Sequence, residues 1–362
     1  MDVTPTKEAV LAALSACQEP ELHKDIVSLG MIQNVAISGG EVSFDYVLTT
    51  PACPLKGMME LEAKEAVMKI PGVSGVKINM VANVKRDLRL ERALPSGIRN
   101  VLAVGSGKGG VGKSTVSCNL AVALAMDGAK VGLLDADVYG PNQPQMMGIT
   151  DFDLRPDADN KIDPPEGHGV KVMSMGFLMD PDAPVIWRGP MLHGAITQFL
   201  KDVRWGDLDY LVVDLPPGTG DVQISLCQTV PLTGAVIVTT PQSIALSDVR
   251  KAAAMFQKLN VPLLGVVENM GVFVCPHCRK ESEIFSHGGG EALAKKYGIP
   301  VLGSIPLDPS VCQTGESGRP ICRSRPDSPP AKALRDAARR IAAAVSVRAA
   351  AYKPLEIQVV PK

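Results

Sequence analysis

A glycine-rich stretch, SGKGGVGKST at residues 106–115, has residue types and spacing suited to phosphate chemistry. From Gly107 to Ser114 it fits G-x-x-x-x-G-K-[ST], in which backbone N–H groups curl around phosphate oxygens at the start of a helix. In this pattern Lys113 reaches the terminal phosphates and the Ser114 hydroxyl binds Mg²⁺. An apolar strand precedes the stretch and a helical pattern follows it, as the motif requires. The predicted phosphate-binding residues are Gly107, Lys108, Gly109, Gly110, Val111, Gly112, Lys113, Ser114 and Thr115.

Lys108 is a second cation inside the same loop. We expect its side chain to point away from the phosphates that its own loop holds. A lysine placed in this way can reach a nucleotide bound by a second copy of the chain and neutralise charge that develops during hydrolysis, as an arginine finger does. The alternative is an exposed lysine without a catalytic role.

Three carboxylates follow apolar strands. LLDADVYGPN at 133–142 contains Asp135 and Asp137, and YLVVDLPPGTGD at 210–221 contains Asp214. Because parallel strands end at one edge of a sheet, we expect these groups beside the phosphates. Asp137 is the candidate that orients the attacking water, and Asp135 supports the metal, although these two roles are interchangeable on spacing alone. The predicted catalytic residues are Lys108, Lys113 and Asp137, and the predicted magnesium ligands are Ser114, Asp135 and Asp214.

Two cysteines three residues apart, Cys275 and Cys278, stand in VFVCPHCRK at 272–280. Their spacing is typical of metal ligands or of a redox dithiol, but a structural zinc or a cluster usually takes four ligands. Asn269 ends the predicted strand 262–269 just before them, and it is a candidate to hydrogen-bond adenine or to cap the strand. An intrachain zinc site would draw further ligands from His277, His287, Cys312 or Cys322.

Composition excludes several classes of protein. The chain has 362 residues, 46% of them hydrophobic and 21% charged, with a net charge of −1. This balance predicts a globular protein of about two domains, with no field that draws it to nucleic acid or to a membrane. The N-terminus has no signal-peptide pattern, so we expect a cytoplasmic protein. Eight scattered cysteines do not make a disulfide framework.

Two regions of the chain differ in the periodicity of their hydrophobic residues. Residues 1–83 show a helix, a hairpin around Gly39-Gly40, a second helix and a strand, which predicts a small α+β domain. A charged linker is expected at 84–99. Residues 100–350 alternate near-continuous apolar strands with helices, which predicts an α/β domain with a parallel sheet covered on both faces, followed by a tail at 351–362.

The motifs in this order resemble the Mrp/ApbC family of iron–sulfur cluster carrier ATPases, which belongs to the deviant P-loop class with division-site and plasmid-partition ATPases. The resemblance covers about 98–345 and rests on K-G-G-V-G-K-S-T, D-A-D-V-Y-G-P-N, W-R-G-P-M (187–191), D-L-P-P-G-T-G-D (214–221), V-E-N-M (267–270) and C-P-H-C (275–278). Residues 19–32 and 49–55 resemble the small iron–sulfur assembly domain fused to bacterial members, except that Glu19-Pro20 stands where Asp-Pro is usual.

The resemblance implies roles for several residues. Lys108 would act across a dimer, Asp137 would be the switch aspartate, and Cys275 and Cys278 would be cluster ligands. A twofold axis beside the cysteines would bring four thiolates together, so that one [4Fe–4S] cluster bridges two chains. Cys53 precedes a predicted helix with Pro54 at its first position, and we expect the helix field to lower the pKa of this possible accessory thiol.

The predicted function is an ATP-dependent, Mg²⁺-requiring homodimer that receives a [4Fe–4S] cluster from upstream assembly proteins and passes it to apo-proteins. We expect slow hydrolysis, because regulatory switches commonly await a partner. One alternative is a positioning or partition ATPase without a cluster. Another is a reductase of the nitrogenase iron-protein kind, which would couple hydrolysis to electron transfer.

Overall fold

The structure is a computed structural model that describes residues 4–90, 93, 97–179, 189–275, 277–278, 280–285 and 288–351. Part of the W-R-G-P-M motif, including Trp187 and Arg188, lies outside these ranges, as do His287 and the tail from 352. The chain divides into two compact units, Met1–Lys85 with Ala342–Lys362, and Arg86–Ile341. The domain bounds predicted from the sequence stay a proposal.

The first unit is a small α+β fold. Its elements are α1 Lys7–Leu14, β1 Gln18–Glu19, β2 Lys24–Asp25, β3 Ile32–Ser38, β4 Glu41–Leu48, α2 Lys56–Met68 and β5 Gly75–Ala82.

Apolar and polar residues alternate in EVSFDYVL, as expected for a strand with one buried face. On β4, Phe44 and Tyr46 are buried, while Ser43 and Asp45 beside them are more exposed. Strand β3 pairs antiparallel with β4, and Ser38 faces Glu41 across the Gly39-Gly40 turn, so the predicted hairpin is confirmed. Strand β5 pairs parallel with β4. The core joins these buried side chains to Leu14 of α1 and to Met59 of α2.

The second unit carries the phosphate motif. Its strands are β6 Ile98–Ser106, β7 Val131–Asp135, β8 Glu166–Gly167, β9 Val170–Ser174, β10 Leu208–Asp214, β11 Gly234–Thr239, β12 Leu263–Val274, β13 Glu281–Ser282 and β14 Val301–Leu307. Its helices are α3 Lys113–Met126, α4 Gln143–Met146, α5 Gly189–Asp202, α6 Asp221–Thr229, α7 Ser243–Lys258, α8 Gly289–Tyr297, α9 Pro309–Glu316, α10 Ile321–Ser324 and α11 Pro329–Ala351, whose last turns group with the first unit. Short 3-10 turns lie at Leu88–Leu90, within the predicted linker, and at Met175–Leu178.

Among the described residues, nine strands form one sheet in the order β13-β12-β11-β6-β10-β7-β9-β8, with β14 also paired to β12. The pairs β11–β6, β6–β10, β10–β7 and β7–β9 are parallel, and the edge strands β8 and β13 run antiparallel to their neighbours. Strands β6, β10 and β7 therefore end side by side, with Asp214 paired to Asp135.

Helices cover both faces of this sheet. Val101 and Ala103 of β6 share a core cluster with Ile196 of α5 and Phe256 of α7. The neighbouring residues Leu102 and Val104 are also buried, and they point to the opposite face because side chains alternate along a strand. Helix α3 packs against β6, β10 and β7. The predicted fold class, a parallel sheet with helices on both faces preceded by a small α+β unit, is confirmed.

No helix within the described ranges is both long and apolar enough to cross a membrane.

Candidate functional site

The predicted phosphate loop connects the end of β6 at Ser106 to the start of α3 at Lys113. Gly112 caps α3 in a left-handed conformation, with φ +79°, and a side chain at this position would collide with the Asn269 amide. The loop borders a cavity of about 380 Å³. Its lining includes Lys108, Gly109, Gly110, Gly112, Lys113, Ser114, Thr115, Asp137, Tyr139, Asn142 and Pro217.

Lys113 is the buried cation of this site. Its Nζ lies 2.7 Å from Oδ1 of Asp214 and 3.4 Å from Oδ2 of Asp137, and it also donates to Oγ of Ser114 at 3.2 Å. Burial alone would lower the pKa of Lys113, but the carboxylates of Asp214 and Asp137 outweigh it and the net pKa is raised. The ammonium group is therefore held charged beside the phosphate loop.

Asp214 and Asp135 are adjacent in the register of β10 and β7, and both are fully buried. Asp135 accepts hydrogen bonds from the backbone N–H of Asp137 at 3.1 Å and from Oγ of Ser174 at 2.8 Å. Burial first, and the neighbouring Asp214 second, raise the pKa of Asp135 to about 7. Two buried carboxylates that disfavour each other's charge form a site that a cation would stabilise.

These residues fit the Mg²⁺ that the motif implies. Mg²⁺ in nucleotide sites is commonly bound through one or two carboxylates together with the substrate phosphates. Ser114, Asp135 and Asp214 supply one hydroxyl and two carboxylates beside the loop. Within the described ranges, no three or more His, Cys, Asp or Glu side chains are grouped so that they could hold a metal ion.

Asp137 lies at the cavity wall, where its Oδ1 accepts the backbone N–H of Tyr139 at 3.1 Å. Burial raises its pKa, although the Lys113 ammonium opposes this shift. A carboxylate of raised pKa beside the phosphate loop is suited to accept a proton from a water molecule. The assignment of Asp137 to the attacking water stays a prediction.

Gln143 was missed by sequence reasoning, although it links three parts of the site. Its Nε2 donates to Oδ2 of Asp214 at 2.9 Å and to the Ser114 carbonyl at 3.0 Å. Its backbone N–H donates to Oδ2 of Asp135 at 3.2 Å. The signal that the sequence offers is the position of this glutamine directly after D-A-D-V-Y-G-P-N, at the start of the short helix α4.

Ser117 was missed as well. Its Oγ lies 2.7 Å from Oδ1 of Asp214 and 3.0 Å from the Lys113 carbonyl, so its one proton is shared between these two acceptors. A serine one helical turn after Lys113 faces the same side of α3, and this spacing could have pointed to it.

Lys108 is half-buried and lines the cavity at the mouth of the phosphate loop. Its Nζ lies 3.4 Å from Oε1 of Gln242, in the segment between β11 and α7. The side chain is therefore held by a neighbouring amide in this structure rather than standing fully in solvent. Action across a dimer stays a prediction.

Asn269 does not end its strand, as the sequence suggested, because β12 continues to Val274. Its Nδ2 donates to the carbonyl of Val111 in the phosphate loop at 2.9 Å. The predicted strand 262–269 ends too early, since β13 and β14 both pair with the extension of β12. The contact of Asn269 with adenine stays a prediction.

Cys275 and Cys278 lie just after β12, the first half-buried and the second exposed. The backbone N–H of Cys275 donates to the carbonyl of Lys280 at 3.0 Å, which closes the loop into a knuckle. The backbone N–H groups of Cys278 and then His277 lower the pKa of the Cys275 thiol. This arrangement favours the thiolate, which is the form that binds iron or zinc.

The expectation of a lowered pKa at Cys53 is wrong. Helix α2 begins at Lys56, so Pro54 is not at its first position. Burial raises the pKa of the Cys53 thiol, although the backbone N–H groups of Leu55 and Lys56 oppose that shift. The thiol also lies 3.9 Å from Sδ of Met59. A role for Cys53 as an accessory thiol stays a prediction.

Two of the further ligands considered for an intrachain zinc site have other neighbours. Cys322 is buried, and its Sγ lies 3.8 Å from the Ala331 carbonyl. Cys312 is exposed, and its Sγ lies 3.3 Å from Oε1 of Glu316. His277 is exposed within the knuckle, and His287 lies outside the described residues.

The fold and the phosphate site define a P-loop NTPase. Residues 97–342 match the family model described as NUBPL iron-transfer P-loop NTPase, and residues 7–80 match the model described as iron-sulfur cluster assembly protein. The chain belongs to this iron-transfer P-loop NTPase family.

Two bacterial relatives match over nearly the whole chain, and a third relative matches over a smaller part of it. An iron-sulfur cluster carrier protein of Deinococcus radiodurans is 51% identical over 97% of this chain and 99% of its own length. A protein of the same name from Synechocystis is 50% identical over 95% of this chain and 99% of its own length. The iron-sulfur cluster transfer protein NUBPL of Dictyostelium discoideum is 48% identical over 71% of this chain and 80% of its own.

Solved structures support the same fold. A nucleotide-binding protein from Archaeoglobus fulgidus in complex with ADP is 40% identical, with a TM-score of 0.57 over 64% of this chain and 90% of that one. The septum site-determining protein MinD of Pyrococcus horikoshii, complexed with Mg-ADP, has a TM-score of 0.52 at 24% identity over 66% of this chain and 94% of that one. The second likeness concerns the fold alone.

Proposed function

We propose that the protein is an ATP hydrolase that carries a [4Fe–4S] cluster between two copies of the chain and passes it to apo-proteins. The observation that carries this proposal is that strand β12 contacts the phosphate loop at Asn269 and leads directly to Cys275. A nucleotide site and a thiol pair linked by one strand are what a nucleotide-controlled carrier needs. The names of the relatives support the same cargo, and upstream assembly proteins are its expected source.

ATP is bound by the loop between β6 and α3. Phosphate oxygens compete with Asp214 and Asp137 for the Lys113 ammonium, which pairs with both carboxylates in this structure. Once Lys113 turns to phosphate, Asp137 loses the cation that holds its pKa down, and it becomes a better proton acceptor for the attacking water. Lys113 stabilises the charge that develops on the phosphoryl oxygens.

Ser114, Asp135 and Asp214 would hold Mg²⁺, which supplies charge neutralisation on the phosphates when bound. Gln143 and Ser117 keep the Asp214 carboxylate oriented through Nε2 and Oγ. We expect hydrolysis to be slow and to depend on Mg²⁺.

The cluster is the cargo rather than a resident cofactor. Each chain offers two thiols, at Cys275 and Cys278, and a [4Fe–4S] cluster is commonly held by four. A twofold axis beside the knuckle supplies the other two, because an isologous interface presents the same residues from both copies. Cluster transfer needs accessible ligands, and Cys278 is exposed.

Lys108 completes the hydrolytic site of the partner copy in this dimer. The test mixes two inactive variants, Lys108→Ala and Asp137→Asn. Random mixing makes about half of the dimers mixed, and one of their two sites then has both residues, so about a quarter of the wild-type rate should return. The control mixes Lys108→Ala with a variant that carries both substitutions, and it should restore nothing. No recovery in the first mixture would show that Lys108 acts within its own chain.

The carrier function is tested by anaerobic reconstitution of the wild type, Cys275→Ala and Cys312→Ala, followed by incubation with an apo ferredoxin. Iron, sulfide and visible absorbance are measured in both proteins. We expect the wild type and Cys312→Ala to load a cluster and to pass it intact, and Cys275→Ala to load none. Equal iron in Cys275→Ala, or colourless wild type with one zinc per chain, would contradict the proposal.

A further inference from the structure

Two adjacent buried residues of β12, Glu268 and Asn269, each bond a different functional segment. Nδ2 of Asn269 donates to the Val111 carbonyl of the phosphate loop at 2.9 Å. Oε2 of Glu268 accepts the backbone N–H of Gly290, at the start of α8, at 2.7 Å. One dipeptide therefore contacts the nucleotide site on one side and the element that follows the cysteine loop on the other.

The same dipeptide lies on β12, the strand that leads to the thiols. Cys275 comes six positions after Asn269, a span of at most about 20 Å in extended chain. The cysteine loop thus begins on β12 and ends at α8, and the Glu268–Gly290 bond ties its far end back to β12. The far end of the loop is therefore anchored next to Asn269, and its near end follows from the same strand.

An irregular stretch stands between the dipeptide and the thiols. Met270 has φ +58°, which is uncommon for a residue with a side chain. The pairing of β12 with β14 also shifts register between Asn269 and Phe273. Bulges of this kind re-aim a strand and are frequent beside functional sites. A small displacement of Asn269 can therefore change the direction of the rest of β12, whereas a regular strand would absorb it.

The contact with the phosphate loop is tight. Gly112 leaves no room for a side chain against the Asn269 amide, and Asn269 is buried. A loop that closes around phosphate moves the Val111 carbonyl, and Asn269 must follow it or lose its hydrogen bond. The Glu268 carboxylate is also buried, and losing the Gly290 N–H would leave it with a desolvation cost that the longer contact to Ser304 Oγ, at 3.4 Å, offsets only in part.

We propose that Glu268 and Asn269 are positioning residues that couple nucleotide binding at the phosphate loop to cluster binding at Cys275 and Cys278. The inference rests on the proposed function, since it concerns how the same cargo is regulated. By linkage, nucleotide changes cluster affinity by the same factor by which cluster changes nucleotide affinity.

The coupling is measured as the ratio of the dissociation constants for a non-hydrolysable ATP analogue with Mg²⁺, in cluster-free and cluster-loaded protein. We expect a ratio that differs from one by about fivefold or more in the wild type, in the range typical of allosteric coupling. Asn269→Asp removes the N–H donor, and Glu268→Ala removes the acceptor, so both should bring the ratio close to one. Glu268→Gln keeps an acceptor and should restore most of the ratio.

Ser282→Ala is the matched control, because Ser282 is exposed on β13 within the same loop, and it should keep the wild-type ratio. A ratio of one in the wild type, or an unchanged ratio in Asn269→Asp and Glu268→Ala, would overturn the inference. So would a changed preference for ATP over GTP in Asn269→Asp with the ratio intact, which would assign Asn269 to adenine alone.

A second measurement separates this inference from the carrier function. Hydrogen exchange of cluster-free protein, with and without the ATP analogue, is followed in the peptides that cover 270–285. Nucleotide should change their exchange in the wild type and not in Asn269→Asp. This result would support the coupling even if no cluster were loaded, and unchanged exchange in the wild type would refute the coupling even in a protein that carries one.

Discussion

The phosphate site and the cysteine knuckle differ in how completely one chain builds them. Lys113, Asp135 and Asp214 are buried and bonded to one another or to neighbouring side chains. Cys275 and Cys278 are half-buried and exposed, and the bonds that the structure places around them come from their own loop. A site enclosed by strand ends is preorganised within the chain, whereas an exposed thiol pair is suited to completion by another molecule.

Loss of the Lys113 charge should have the largest effect on the enclosed site. Lys113→Gln keeps an N–H donor for Asp214 but removes the ammonium that meets the phosphates, so phosphate release should fall by about 10²–10³-fold. Lys130→Ala, which changes an exposed lysine before β7, is the control and should keep the wild-type rate. A fall of less than about tenfold in Lys113→Gln would mean that the enclosed site does not depend on this charge.

The knuckle should respond in the opposite way, with loss of cargo and little loss of stability. Cys278→Ser should bind less than about a tenth of the wild-type iron, while its free energy of unfolding stays within about 0.5 kcal/mol, because the side chain is exposed. Cys312→Ser, another exposed thiol, should change neither quantity. A chemical assay measures the bound iron, and urea unfolding measures the free energy of unfolding. Iron retained by Cys278→Ser would contradict the comparison.

Burial of Asp135 predicts that the stability of the enclosed site depends on pH. Its pKa is raised to about 7, whereas an aspartate in an unfolded chain titrates near ~3.9. The folded protein binds this proton more tightly, so the free energy of unfolding should fall as pH rises from about 4 through about 7. The slope is on the order of 1 kcal/mol per pH unit from this group.

Urea unfolding between about pH 5 and about pH 8, without nucleotide or divalent cation, measures this slope. Asp135→Asn should be flatter than the wild type over the same range. Parallel curves for the two proteins would show that Asp135 titrates as an ordinary carboxyl.

Gln143 should give the smallest of these effects. Gln143→Leu keeps the approximate volume but removes the N–H that bonds Asp214 and the Ser114 carbonyl, and we expect hydrolysis to fall about tenfold. Gln145→Leu, two residues away and exposed, is the matched control and should stay at the wild-type rate. Equal rates of hydrolysis for the two variants would show that Gln143 does not contribute to the reaction.

Local patterns explain what the sequence could predict. The phosphate loop needs glycines and a lysine at fixed spacing, and the carboxylates follow apolar strands, so both are visible without the fold. Gln143 offers only its place at the start of α4 as a local signal and Ser174 offers none, because their bonds to Asp214 and Asp135 depend on how strands and loops meet in space.

The wrong expectations also have physical causes. The helix field at Cys53 can be inferred from sequence, but the burial that outweighs it is a property of the folded unit. Asn269 was expected at the end of the strand 262–269, whereas pairing with β13 and β14 carries β12 past it across a register shift. Burial and register are set by distant residues, and local patterns do not report them.

The central claim is that two copies of this chain complete one cluster site. Its most direct test is the native mass of the anaerobically reconstituted protein, with iron and sulfide counted per chain in the same sample. We predict a dimer with about two iron and two sulfide per chain, which is one [4Fe–4S] cluster shared by four thiolates. A monomer that keeps its full iron content would contradict it.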